Sequence, residues 1–280
     1  MKKKLLAIAT CAAALALCCA VFAGCSSNSS SSSNSSSASS DSKTTLTVGF
    51  DQSYPPYGFV ADDGSYTGFD LDLAKAVCEK NGWEFKASPI DWDAKDALLA
   101  QGNINCIWNG FTREGREDNY TFSDSYMLNE QVIVVKSGSS ITDFAGLAGK
   151  TVMTQVDSAA LEVLEGDQAS VAKTFNGGAA QTIADYNNAF MQLESGMVDA
   201  VACDLSIAQY QIAQNPGKYT QLSTPLSSEH YAVGFKKGDT ELATKVTETL
   251  KELDADGTVK QLCEKYADYG MSYDNWVLGK

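Results

Sequence analysis

The stretch Thr45-Leu46-Thr47-Val48-Gly49-Phe50-Asp51-Gln52-Ser53-Tyr54-Pro55-Pro56-Tyr57 begins with a strict alternation. Leu46, Val48 and Phe50 fall on one face and Thr45, Thr47 and Gly49 on the other, which predicts a β-strand. It ends in a polar, aromatic loop, so the strand delivers chemistry-bearing side chains to its C-terminal end, where α/β sheets place ligands. Further along, Asp63-Gly64 between Phe59-Val60 and Tyr66 is a two-residue hairpin signal. Leu73, Ala76 and Val77, within Asp70 to Lys80, then recur at helical spacing, with Asp70 expected to cap that helix. More strands are expected at Ile104 to Trp108, Gln131 to Val135, Thr151 to Thr154, Val198 to Ala202 and Tyr231 to Phe235, with helices between them. Leu242, Val246, Leu250 and Leu253, then Val259, Leu262, Cys263 and Tyr266, mark two amphipathic helices joined by a turn at Asp254-Ala255-Asp256-Gly257. Alternating strands and helices make this an α/β chain.

The chain has 280 residues, 44% of them hydrophobic, enough for one large or two medium domains. Its 35 Asp and Glu against 21 Lys and Arg give a formal charge of −14. That excess repels phosphate backbones and argues against a nucleic-acid partner. A small molecule or another protein is the expected partner.

Residues 1–24 read as a secretory signal, with Lys2, Lys3 and Lys4 ahead of an apolar run from Leu5 to Ala23. A retained membrane-spanning helix is the alternative for a run of that length. Val21-Phe22-Ala23-Gly24-Cys25 resembles the lipobox of bacterial lipoproteins, with Phe22 in place of the usual Leu. That resemblance implies a lipoprotein signal peptide over 1–24, lipidation of Cys25 and a location on the outer face of the cytoplasmic membrane. Residues 26–40 hold twelve Ser, two Asn and one Ala, so 25–43 reads as a lipidated Cys followed by a flexible tether. Cys78, Cys106, Cys203 and Cys263 lack CxxC or metal-ligand spacing and lie in apolar stretches. They read as buried small hydrophobes, with a disulfide among them left open.

Catalytic and cofactor chemistry find little material. His230 is the only histidine and has no ligand cluster around it. Gly177-Gly178 is a lone pair, with no glycine-rich phosphate loop after a strand. No cofactor or metal is expected. What stands out is Asp51 to Tyr57, Asn109-Gly110-Phe111-Thr112 with Arg116, and Asp204 at the end of a strand. An Arg and an Asp converging on one cleft suit a zwitterion, the guanidinium taking a carboxylate and the carboxylate an ammonium.

In these motifs the chain resembles the family 3 extracellular solute-binding proteins, the receptors of ATP-binding-cassette (ABC) importers for polar amino acids. The likeness runs from about Thr45 to Tyr273. It also takes in Gly68-Phe69-Asp70-Leu71-Asp72-Leu73-Ala74, Asp91-Trp92, Phe122-Ser123-Asp124, Gln155 to Ala159 and Val233-Gly234-Phe235-Lys236-Lys237-Gly238. The resemblance implies a type II periplasmic-binding-protein-like fold, two α/β lobes joined by two crossing strands with the ligand between them. Lobe one would comprise 44–130 plus 228–280, and lobe two 131–227.

The resemblance also implies roles. Arg116 would grip the ligand α-carboxylate, helped by the hydroxyl and N–H of Thr112 and by Ser158 and Ala159 at a helix N-terminus. Asn109 belongs to the same loop as Gly110, whose carbonyl would meet the α-ammonium. Asp204 would receive that ammonium, unless it only caps the following helix. Tyr54 and Trp92 would sandwich the ligand side chain, with Asp51 and Gln155 facing its distal group. The Thr112-to-Arg116 interval is one shorter than usual in the family, which implies a re-shaped loop around Arg113. The implied protein is a monomeric, lipid-anchored receptor for an amino acid with a polar or neutral side chain, docking on an ABC permease. Two other readings share the scaffold: a sensing lipoprotein without transport, and a cyclohexadienyl dehydratase-like enzyme.

Overall fold

A computed structural model describes residues 44–280. The segments expected to be a signal peptide, a lipidated Cys25 and a Ser-rich tether lie outside the described residues. Among those described, no helix is long and apolar enough to cross a membrane.

The opening strand forms over Thr45–Phe50 with Leu46, Val48 and Phe50 buried. It lies inside a five-stranded sheet, in the order Glu84–Pro89, Thr45–Phe50, Cys106–Ile107, Gly234–Lys236, Tyr120–Phe122. Its pairings to Glu84–Pro89 and Cys106–Ile107 are parallel. A Cβ on Gly49 would come within 2.5 Å of Ile104 Cδ1, so Gly49 lets its neighbour pack against the backbone.

A second sheet runs Gln181–Ile183, Val152–Gln155, Ala200–Asp204, Met127–Lys136, Tyr219–Gln221, with Ser227–Tyr231 also paired to Met127–Lys136. Each sheet carries its own helices, which gives two α/β lobes. The chain leaves the first sheet along Met127–Lys136 and returns along Ser227–Tyr231, and these two strands pair antiparallel from Met127 opposite Tyr231 to Gln131 opposite Ser227. The single strand expected at Tyr231 to Phe235 is therefore two, Ser227–Tyr231 in the second sheet and Gly234–Lys236 in the first. An unbroken apolar run conceals the point where the chain changes sheets.

The helix expected at Asp70 to Lys80 spans Phe69–Asn81, but Asp70 does not cap it. Gly68 takes the cap position at φ 140°, and a Cβ there would lie 2.2 Å from the Tyr57 carbonyl oxygen, so the site requires glycine. The C-terminal helices form over Thr240–Ala255 and Thr258–Lys265, with Gly257 left-handed between them. The chain end then closes over the start of the first crossing strand. Trp276 is fully buried beside Tyr126, their ring centroids 5.8 Å apart, and the Val277 N–H donates to the Tyr126 carbonyl at 2.9 Å.

Cys106, Cys203 and Cys263 are buried free thiols, and Cys78 is buried in its helix, as apolar surroundings suggested. Burial pushes the Cys106 and Cys203 thiols well up and that of Cys263 up to about 12, which leaves almost no reactive thiolate at neutral pH. Cys106, Cys203 and Cys263 are therefore expected to resist an aromatic disulfide reagent in the native protein and to react fully in denaturant. Rapid native labelling, read by mass spectrometry of peptides, would contradict this packing.

Candidate functional site

Between the lobes lies a cavity of about 370 Å³, within the ~300–1,000 Å³ of small-molecule sites. The first lobe contributes Asp51, Gln52, Ser53 and Ile90 to Asp93, and the second Val156, Ala184 and Asp185. These positions follow strand ends, as the opening stretch implied. Asp51 is buried and accepts from the Ser53 N–H at 2.7 Å and, across the cleft, from the Gln155 amide at 2.7 Å. Burial raises its pKa, those two bonds oppose the shift, and the Asp185 and Asp91 carboxylates add to it. Trp92 lines this cavity, whereas Tyr54 is not among its lining residues and sits in a tyrosine cluster.

That cluster surrounds Asp204. The Asp204 carboxylate makes no capping bond to the helix Leu205–Gln214 that follows it. Its Oδ1 instead accepts from Asn129 Nδ2 at 3.0 Å, Gln131 Nε2 at 2.7 Å and the Tyr231 hydroxyl at 2.8 Å. All three donors stand on the two crossing strands. Desolvation is the main cause raising the Asp204 pKa. The Tyr54 hydroxyl lies 3.5 Å from that of Tyr231, and the Tyr54 ring is 6.1 Å from Tyr186. Burial pushes all three phenols well up, so they stay protonated.

Thr112 pairs with Tyr231, flanked by the bonds Arg113 N–H to His230 O and Ala232 N–H to Phe111 O. This register turns the Thr112 N–H away from Tyr231. Its hydroxyl, assigned from the sequence to a ligand carboxylate, is donated to Glu229 Oε1 at 2.7 Å. In this conformation that proton is not available to a ligand. Glu229 Oε1 also accepts from Asn129 and Gln131 at 2.9 and 2.8 Å.

Arg116 is buried, its guanidinium 4.8 Å over the Phe111 ring. Nε and Nη2 reach across the cleft to Glu162 Oε1 at 3.1 and 2.9 Å, and Nη1 donates to the Thr112 carbonyl at 3.3 Å. Further bonds join the lobes here. Trp92 Nε1 donates to the Asp157 carbonyl at 3.1 Å, and Lys95 Nζ lies 3.5 Å from the Asp157 carboxylate. Ser158 caps the helix Ala159–Glu165, accepting the Leu161 N–H at 3.2 Å, so Ser158 and Ala159 do form a helix N-terminus. Arg113 is half-buried, its Nε 4.0 Å from Glu117 Oε1.

Gly110 is left-handed at φ 59° and donates its N–H to Asp70 Oδ2 at 2.6 Å. Asp70 is fully buried and also accepts the Tyr126 hydroxyl. It therefore ties the 109–112 loop to the residue before the first crossing strand. Both amide atoms of Asn109 and Gln131 Oε1 are buried without hydrogen-bond partners. Each such atom costs about 1–3 kcal/mol unless a bound molecule meets it.

The structure thus brings Asp51 to Gln155, and Thr112 through Glu229 and two amides to Asp204, while Arg116 engages Glu162. Sequence reading missed Asp70, Asn129, Gln131, Glu162, Glu229 and Tyr231. For four of these a signal existed: Asn129 and Gln131, like Glu229 and Tyr231, are two apart on strands and share one buried face.

Residues 46–269 match the bacterial extracellular solute-binding proteins, family 3. The chain belongs to that family. It is 28% identical over 225 residues to the L-cystine-binding protein TcyJ of Escherichia coli (strain K12), covering 79% of this chain and 82% of that protein. It is 30% identical over 210 residues to the ABC transporter glutamine-binding protein GlnH of Bacillus subtilis (strain 168), covering 72% and 73%. Among solved structures, a histidine-bound ABC uptake transporter substrate-binding protein from Streptococcus pneumoniae superposes with a TM-score of 0.78 at 35% identity, covering 84% and 95%. The fold is that of the type II periplasmic binding proteins.

Burial raises the Asp70 pKa to about 7, against the bonds from Gly110 and Tyr126. A carboxyl raised in the folded state stabilises fully below its unfolded pKa, and that contribution is lost as pH rises through the folded one. The melting temperature of the ligand-free protein should therefore fall between pH 5 and 8. Asp70→Asn should make that fall shallower, and an unchanged slope would contradict the assignment.

Proposed function

We propose that this chain is a lipid-anchored extracellular receptor that binds an amino acid between its lobes and delivers it to an ABC permease. The observation that carries the reading is the pair of buried, opposite charges at the cleft: Asp204, held by donors on both crossing strands, and Arg116, held against Phe111. A desolvated carboxylate suits an α-ammonium, and a buried guanidinium suits an α-carboxylate. The lobe limits that accompany this reading are 44–130 plus 228–280 and 131–227, with Cys25 as the anchor and a monomer as the working unit.

Asp51, Asp91, Asp93 and Asp185 around the cavity disfavour an anionic side chain and leave neutral or cationic ones. Relatives named for cystine, arginine, histidine and glutamine fit that class. Binding would proceed by the ligand carboxylate replacing Glu162 on Arg116, while contacts to both lobes favour the closed form. Moving a 1:99 population to 99:1 takes about 5.5 kcal/mol of differential affinity, within reach of two charged contacts and a filled cavity.

Calorimetric titration of protein freed of carried-over ligand by unfolding and refolding, against a panel of amino acids including cystine, tests the proposal. One-to-one binding of one or a few neutral or cationic amino acids is expected. Arg116→Ala and Asp204→Ala should each weaken it by about 2–5 kcal/mol. Full affinity in both variants would overturn the site, and silence across the panel by folded protein would overturn the function.

A further inference from the structure

Asp204 is not the only carboxylate at its end of the cleft. Asn129 and Gln131 each use one amide nitrogen to donate to Asp204 Oδ1 and to Glu229 Oε1 at once, at 2.7 to 3.0 Å. The two acids are thus held to a single set of donors, both buried, with the Thr112 hydroxyl on Glu229 and the Tyr231 hydroxyl on Asp204. A lone ammonium acceptor does not need a second buried acid tied to the same amides, because burying each charge is costly. Resting on the amino-acid receptor reading, we propose that Glu229 is a second carboxylate of the ammonium subsite. It makes the cleft selective for molecules that bring a full positive charge there, and it gives up its proton to solvent when that charge arrives.

The surroundings support this exchange. Glu229 is raised to about 6, first by burial and next by the Asp204 charge, against the bonds from Thr112, Gln131 and Asn129. Two acids so close titrate as a pair, and near pH 6 the empty pair holds a share of one proton. The other titratable groups facing the pair are the phenols of Tyr54, Tyr57, Tyr186 and Tyr231 and the thiol of Cys203, all pushed up by burial and so neutral. Arg116, bonded to the Thr112 carbonyl, is the nearby cation. The adjacent His230 is half-buried and bonded to Glu114 at 2.7 Å. An ammonium entering beside the pair leaves both acids ionised, so binding releases a proton and tightens as pH rises.

The test is calorimetric titration of the full chain with L-glutamine, L-arginine and L-cystine, at pH 6 in buffers of different ionisation enthalpy and again at pH 8. For whichever binds, the expected result is release of a fraction of a proton at pH 6 and almost none at pH 8, with affinity several-fold higher at pH 8. This part needs no variant. Glu229→Gln should still bind but without proton release, and its preference for L-arginine over Nα-acetyl-L-arginine, or for the corresponding pair with L-glutamine, should fall tenfold or more. Binding without proton release, with proton uptake, or with selectivity unchanged in Glu229→Gln would overturn the role of Glu229 and leave the receptor reading standing. Failure of all three amino acids to bind would overturn the receptor reading itself, and this proposal with it.

Discussion

A carboxylate with almost no access to water must find its compensation inside the protein, and Asp204 finds it on the strands that join the two lobes. Asn129 and Gln131 on one crossing strand and Tyr231 on the other all donate to a single oxygen of Asp204. The same strands carry the chain between sheets. The charge that would hold a ligand and the strands that connect the lobes are therefore one network.

The rest of the site extends from this network. Thr112 reaches it through Glu229, and Thr112 is paired with Tyr231 on the returning strand. Asp70 holds Gly110 on one side and Tyr126 on the other, where the C-terminal segment with Trp276 also packs. The lobes also meet through Arg116 with Glu162, Trp92 with Asp157 and Gln155 with Asp51. Glu162 offers Arg116 the kind of group an amino acid would offer it, so the protein's own carboxylate occupies the guanidinium across the cleft.

Much of this was legible in the sequence because it depends on local pattern. The alternation at Thr45 to Phe50 and the heptad-like spacing after Thr240 reappear as a buried strand and a helix, since burial of one face drives both. Motif resemblance carried the fold class and family. Asp70 was misread because a carboxylate at the start of a helix is ordinarily a cap, and only the tertiary fold shows Gly68 in that place and Asp70 turned inward. Glu162 was invisible for a related reason, since its partner Arg116 lies 46 residues away, and for Glu229 the alternation with Tyr231 marks a buried face but not its partner Thr112, 117 residues away. The division of Ser227 to Lys236 between two sheets likewise depends on the second lobe, not on the apolar run itself.

The most direct test of the account is a crystal structure of the protein saturated with an amino acid that it binds. The α-ammonium is expected within hydrogen-bond distance of Asp204, the α-carboxylate on Arg116 with Glu162 displaced, and the side chain directed into the cavity beside Asp51 and Trp92. An amino acid seated elsewhere, or one in the cleft with Arg116 still bonded to Glu162 and nothing on Asp204, would contradict it.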